Sequence, residues 1–79
     1  MQSETIMQIV DQEITILLNG EPRTLDAGTS IAALAEAIGL NPLKIAVERN
    51  REIVPRSTLA NVILAQGDEL EIVHFVGGG

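Results

Sequence analysis

The alternation of apolar and polar positions predicts a β-hairpin near the start of the chain. The segment EITILLNGEP contains an aliphatic, β-branched run followed by Asn19-Gly20. An Asn-Gly pair after such a run is a strong signal for a two-residue hairpin turn. Because side chains alternate along a strand, Ile14, Ile16 and Leu18 are expected to share one face.

The segment AGTSIAALAEAIGLNP has the periodicity of an amphipathic helix. Its apolar residues recur at i, i+3, i+4 and i+7, which places one stripe against a core. That stripe consists of Ile31, Leu34, Ala35 and Ile38. Thr29 or Ser30 can cap the first turn, Gly39 suits the left-handed position that ends a helix, and Pro42 prevents continuation.

The remaining segments predict short strands and turns. Arg23–Leu25 is a return strand, and KIAVERNREIV indicates a second strand pair around Asn50-Arg51, ended by Pro55. Ser57 is a candidate cap for a short helical turn, Gly67-Asp68 centres a turn, and ELEIVHF is the last strand. The sequence therefore predicts an α+β domain, with a mixed sheet of about five strands and one main helix packed on one face.

Composition restricts the partners of this domain. The chain has 79 residues and a net charge of −6, so phosphate backbones and anionic membrane surfaces repel it. The basic residues form no run, and a basic patch on a protein partner is the natural complement. We expect no nucleic-acid partner and no membrane partner.

The absence of cysteine and of long apolar segments narrows the chemistry further. With no cysteine, disulfides, thiolate metal sites and cysteine nucleophiles are excluded, and any sulfur handled must be carried elsewhere. No apolar stretch approaches the ~20 residues of a membrane span. MQSETIMQIVDQE lacks the features of a secretory signal, so a cytoplasmic location is expected.

Few residues are suited to catalysis. His74 is the single histidine, so neither a His-rich metal site nor a Ser-His-Asp set can be identified. Two acidic groups resemble carboxylate pairs but are better explained as a solvated strand face and turn. They are Asp68/Glu69/Glu71 and Glu48/Glu52. We expect no catalytic residue and no metal site.

The last residues, VGGG, allow two interpretations. Because chain ends are often disordered, the first interpretation is a frayed terminus without a function. Alternatively, Gly77 and Gly78 thread a narrow channel in a partner, since glycine has no side chain to obstruct passage. The α-carboxylate of Gly79, with a pKa of ~3.3–3.7, is then the working group. An anionic carboxylate can attack the α-phosphate of ATP and form an acyl-adenylate.

Four stretches carry a resemblance to a known family: ITILLNGEPRTL, GTSIAALAEAIGL, IAVERNREIVPRS and GDELEIVHFVGGG. From about Ile14 to Gly79, the chain resembles the ThiS sulfur-carrier proteins of thiamine biosynthesis. The resemblance implies a ubiquitin-like β-grasp fold for residues 14–76 and a flexible glycine tail at 77–79. Residues 1–13 form an extension, either continuing the first strand or disordered, in which Met7 is an alternative start.

The resemblance also implies a reaction sequence at Gly79. An E1-like adenylyltransferase of the ThiF type adenylylates this glycine, using ATP and magnesium. A sulfur donor system, drawing on cysteine through a persulfide, then replaces the adenylate and leaves a thiocarboxylate. Thiazole synthase of the ThiG type takes the sulfur. The chain is then a protein cosubstrate that binds no cofactor itself, and not an enzyme.

Two further functions remain open. One is a sulfur carrier of another pathway, such as the small subunit of molybdopterin synthase, which uses the same tail chemistry. The other is a ubiquitin-like interaction module whose tail is inert. The family often has NGE where this chain has NRE, which suggests that the turn at Arg51 needs no glycine.

The last strand offers a candidate partner surface. Alternation places Leu70, Ile72 and Val76 on one face, with His74 among them, and suits packing against the helix. Val73 and Phe75 then lie on the uncovered face, where an exposed apolar pair often marks an interface. The alternative is that Phe75 belongs to the core.

Overall fold

A five-stranded mixed sheet and one α-helix form residues 12–75, the part of the chain that this computed structural model describes. The strands are β1 (Glu13–Leu18), β2 (Glu21–Asp26), β3 (Ile45–Arg49), β4 (Glu52–Val54) and β5 (Glu69–His74), and the helix is α1 (Ile31–Ala37). The strand order is β2-β1-β5-β3-β4, with β5 parallel to β1 and antiparallel to β3. The predicted mixed sheet with one helix is confirmed.

Both hairpins turn through two residues with positive φ. The first turn has φ values of 51° at Asn19 and 86° at Gly20. The second has 53° at Asn50 and 73° at Arg51. Two positive φ values define the tight turn that matches strand twist and favours Asn-Gly. The second turn forms without glycine, as expected, but Arg51 adopts a left-handed conformation that costs a non-glycine residue about 1–2 kcal/mol.

Helix α1 is fixed at both ends by local interactions. The Ser30 hydroxyl oxygen accepts a hydrogen bond of 3.0 Å from the Ala33 N–H, so Ser30 is the N-cap. The Thr29 hydroxyl instead donates to the Asp26 carbonyl at 2.6 Å. Gly39, with φ +89°, lies just past the end in the predicted left-handed conformation.

One apolar core lies between α1 and the sheet. Its buried members are Ile16, Ile31, Leu34, Ala35, Ile45, Val47, Leu59, Leu64, Leu70 and Ile72. Each fully buried Leu, Ile or Val contributes about 1.5–3 kcal/mol relative to exposure. Ile38, the last residue of the predicted stripe, is half-buried at the helix end. The opposite face of the sheet has no helix of residues 12–75 on it.

Two 3-10 turns complete the described chain, at Pro42–Lys44 and Arg56–Thr58. The predicted cap at Ser57 is wrong, because Ser57 lies inside the second turn and Pro55 precedes it. Pro55 has no side-chain donor or acceptor and cannot cap the turn through its side chain. The Thr58 hydroxyl instead stabilises the turn by donating to the Pro55 carbonyl at 2.8 Å. Most of the predicted N-terminal extension, including Met7, lies outside the described residues; only Gln12 and Glu13 of it are described. Val76–Gly79 also lie outside the described residues.

Candidate functional site

Strand β5 lies at the centre of the sheet and is the last strand of the described chain. It contacts β1 on one side and β3 on the other. One residue beyond β5, the Phe75 N–H donates to the Lys44 carbonyl at 2.8 Å and extends the pairing with the β3 side. Residues 76–79 follow in sequence. The site at which the chain leaves the sheet is therefore held by a strand that is paired on both sides.

The two turn asparagines fasten β5 from both sides. The Asn19 side chain accepts from the Ile72 N–H at 2.8 Å and donates to the Ile72 carbonyl at 3.3 Å. The Asn50 side chain accepts from the Glu69 N–H at 2.9 Å, while the Asn50 N–H donates to the Glu69 carbonyl at 2.8 Å. Each asparagine thus replaces a strand residue in the ladder. Sequence reasoning identified both as turn formers but missed this second role.

A buried carboxylate locks the start of β5. Asp68 is 6% exposed and accepts from Arg49 Nε at 2.9 Å, Asn50 Nδ2 at 3.1 Å and the Ala65 N–H at 2.8 Å. Burial acts to raise the pKa of Asp68, but the hydrogen bonds from Ala65, Asn50 and Arg49 outweigh it and the pKa is lowered. The expectation of a solvated acidic turn is therefore wrong at this residue, although the turn itself is confirmed.

Three carboxylates form an acidic strip on the uncovered sheet face. Glu48 of β3 lies directly opposite Glu71 of β5, and both share a shallow concavity with Glu69 and Arg51. Like charges directly opposite on neighbouring strands destabilise a sheet. Arg51 in the same concavity offsets part of this repulsion, and the acidic strip (Glu48, Glu69 and Glu71) favours a partner surface that carries basic residues.

An apolar patch adjoins the acidic strip. Ala46, Ile53 and Val73 line a hollow of about 170 Å³, and we call these three residues the sheet-face patch. Val73 is 63% exposed and Ile53 79%. Phe75 is 52% exposed, so the alternative that it belongs to the core is wrong. Exposure of Ile53 was not predictable from the sequence, because β4 is only three residues long and shows no periodicity.

The other sequence candidates are placed as follows. His74 is exposed at the end of β5, opposite Ile45. Within residues 12–75, no three His, Asp or Glu side chains lie close enough to hold a metal ion. No helix in that same range is long and apolar enough to cross a membrane. Gly77, Gly78 and Gly79 lie outside the described residues, and their roles stay predictions.

Comparison with known structures places the fold among the ubiquitin-like β-grasp proteins. The crystal structure of a thiamine biosynthesis protein, ThiS, from Geobacter metallireducens superimposes with a TM-score of 0.69 at 28% identity. The match covers 84% of this chain and 100% of that one. A designed protein based on human ubiquitin shares the fold alone, with a TM-score of 0.51 at 20% identity over 86% of this chain and 96% of that one.

Sequence comparison then gives the family. The model of the ThiS family matches residues 16–79, and the chain belongs to this family. The sulfur carrier protein ThiS of Bacillus subtilis is 44% identical over 54 residues, covering 68% of this chain and 80% of that protein. A thiazole synthase of Magnetococcus marinus is 48% identical over 64 residues, covering 81% of this chain. This chain spans 20% of the length of that synthase.

Proposed function

We propose that this chain is a sulfur carrier of thiamine biosynthesis, which holds sulfur as a thiocarboxylate at Gly79. The observation that carries the proposal is the family match, which continues past the described sheet through the glycines to Gly79. The Bacillus subtilis relative is named a sulfur carrier protein. The absence of cysteine agrees with sulfur carried on the terminal carbonyl carbon and not on a side chain.

The chemistry needs three steps, of which the second takes place at the terminal carbonyl carbon. The Gly79 carboxylate attacks the α-phosphate of ATP and pyrophosphate leaves, which gives an acyl-adenylate. A persulfide sulfur then attacks the acyl carbon and AMP leaves. Cleavage of the resulting sulfur–sulfur bond by a donor thiol, which becomes oxidised to a disulfide, releases the thiocarboxylate. The activating partner, an E1-like adenylyltransferase of the ThiF type, supplies ATP and magnesium, and the carrier acts as a cosubstrate.

Thiazole synthase is the proposed recipient of the sulfur. The Magnetococcus marinus protein of that name contains a stretch 48% identical to this chain within one longer polypeptide. A second thiazole synthase, from Paramagnetospirillum magneticum, also matches at 48% identity over 64 residues and 20% of its length. Joining two domains in one chain raises the effective concentration of each for the other, which benefits proteins that act in succession.

The uncovered sheet face is the proposed docking surface. Val73 of the sheet-face patch and Phe75 just beyond β5 are exposed apolar side chains close to the start of the tail. Apolar side chains supply the buried centre of an interface, whereas charged residues supply its rim. The acidic strip beside the patch then selects a partner with basic residues in matching positions.

Mass spectrometry of the intact protein tests the proposal. After incubation with the activating enzyme, ATP, magnesium and a sulfur donor, the chain should gain the mass of one oxygen-to-sulfur exchange. Deletion of Gly79 should abolish the gain and the exchange of pyrophosphate into ATP, because the reacting carboxylate is displaced. Gly78→Ala should also abolish both, since the added methyl group obstructs a narrow channel.

Thermal melts of the same variants provide the control. Since Gly78 and Gly79 follow the last strand, neither change removes a residue of the core described above. Melting temperatures should therefore match that of the unaltered chain. Normal pyrophosphate exchange by the chain without Gly79 contradicts the proposal.

A further inference from the structure

Two basic residues contact Phe75, at the point where the chain leaves the sheet, Lys44 through its backbone and Arg56 through its side chain. The Lys44 carbonyl accepts the hydrogen bond from the Phe75 N–H at 2.8 Å. The guanidinium carbon of Arg56 lies 5.9 Å from the centroid of the Phe75 ring, within the range of a cation–π interaction. Leu43, next to Lys44, is 72% exposed. We call Leu43, Lys44, Arg56 and Phe75 the tail-exit cluster.

The positive charge of this cluster contrasts with the rest of the domain. The chain has 5 Lys and Arg residues against 11 Asp and Glu residues. Arg49 is neutralised by Asp68 at 2.9 Å, and Arg51 shares its concavity with the acidic strip. Within residues 12–75, no carboxylate lies within 4.0 Å of the side-chain nitrogens of Lys44 or Arg56. The tail exit is thus a basic spot on an acidic protein.

A groove continues from the cluster on the helix side of the fold. Its volume is about 350 Å³, and Ala32, Leu43, Arg56 and Leu59 are among the residues that line it. Glu36 is the one carboxylate in this lining. The groove is mainly apolar and lies on the opposite side of the sheet from the acidic strip. A protein that surrounds the tail would therefore meet opposite charges on its two sides.

Distance decides what the two cations can contact. Gly79 is four residues beyond Phe75, so an extended tail places its carboxylate up to about 14 Å away. This exceeds the screening length of about 8 Å at physiological ionic strength. With the tail extended, Lys44 and Arg56 are therefore screened from phosphates at the reacting carboxylate. They face the surface of the protein that receives the tail.

Resting on the proposed function, we propose that the tail-exit cluster docks against carboxylate side chains at the mouth of the activating enzyme's tail-binding channel. Leu43 packs against an apolar lip beside those carboxylates. A carrier with a net charge of −6 must approach an enzyme that holds anionic ATP. A basic spot at the base of the tail directs that end of the carrier toward the channel, because charge complementarity raises association rates and fixes orientation.

Charge reversal tests this inference. The double variant Lys44→Glu, Arg56→Glu should associate with the activating enzyme about tenfold more slowly at low salt, and the difference should shrink at high salt. Arg56→Lys keeps the charge and should retain most of the rate. The single reversal Arg56→Glu is also measured, with Arg23→Glu as its matched control. Arg23→Glu changes the net charge equally but lies on β2, at the opposite edge of the sheet, and should change the rate less than twofold.

The outcomes separate this inference from the proposed function. If the unaltered chain is adenylylated and the double variant associates at the same rate, the inference is overturned and the proposed function stands. An Arg23→Glu effect as large as that of a single reversal at Arg56 also overturns it, because net charge alone then accounts for the rates. If the double variant binds only thiazole synthase more slowly, the cluster docks against that protein and the inference is overturned. If the unaltered chain is not adenylylated, the proposed function itself fails.

Discussion

At the scale of single residues, Asp68 connects three parts of the chain through one carboxylate. It binds β3 through Arg49, the following turn through Asn50 and its own loop through the Ala65 N–H. Since a buried charge is costly unless it is paired and hydrogen-bonded, these contacts explain why a carboxylate is tolerated there. Asp68 immediately precedes β5 and therefore fixes where that strand begins.

Asp68→Asn should reduce the sensitivity of the fold to acid. The pKa of Asp68 is lowered in the folded state. Its ionised form therefore stabilises the protein fully above the ordinary value of about 3.9, and this contribution is lost as the pH falls through the lower folded pKa. Urea unfolding should give a deficit of about 1–3 kcal/mol for the variant at neutral pH. The deficit should narrow under acid conditions.

Glu13→Gln provides the control for that prediction. Glu13 is an exposed carboxylate of β1, so the loss of its charge should alter the free energy of unfolding by less than about 0.5 kcal/mol. A deficit for Asp68→Asn that stays constant from neutral to strongly acidic pH contradicts the assignment, because the stabilisation would then not depend on ionisation.

At the scale of elements, the periodicity of apolar residues predicted which side chains of the helix pack into the core. The α1 stripe was predictable because Ile31, Leu34 and Ala35 follow the helical repeat. The second role of Asn19 was not, since nothing local indicates that its side chain pairs with Ile72, more than fifty residues away. Burial of Asp68 was not predictable from the sequence for the same reason, because its partner Arg49 lies on β3. Interactions between segments that are distant in sequence were therefore the part of the site that could not be predicted.

The two faces of β5 should respond differently to the same substitution. Val73→Ser and Phe75→Ser remove exposed apolar groups, so melting temperatures should change little while affinity for the activating enzyme falls by ~2 kcal/mol or more. Ile72→Ser, one residue away but 7% exposed, should instead lower the melting temperature strongly. Calorimetric titration and thermal melts measure the two effects. Unchanged affinity in both exposed variants means that this face is not the interface.

At the scale of the whole molecule, the fold separates its buried core from the exposed sheet face that is proposed as a docking surface. The core lies between α1 and the inner sheet face, whereas the acidic strip and the sheet-face patch occupy the outer face. The outer residues contribute little to burial and can therefore vary among carriers that share one fold. If two sulfur-transfer pathways use the same tail chemistry, we expect these surfaces to select the pathway.

This chain should consequently serve one pathway and not another. In a bacterium that lacks its own thiamine sulfur carrier, it should restore growth without added thiazole, because its family relatives act in thiamine biosynthesis. In a strain that lacks the small subunit of molybdopterin synthase, it should not restore molybdenum-cofactor synthesis, since the second pathway's partners must match a different outer face. The chain without Gly79 should rescue neither strain. Rescue of molybdenum-cofactor synthesis alone would reverse the assignment and identify the outer face as that of a molybdopterin carrier.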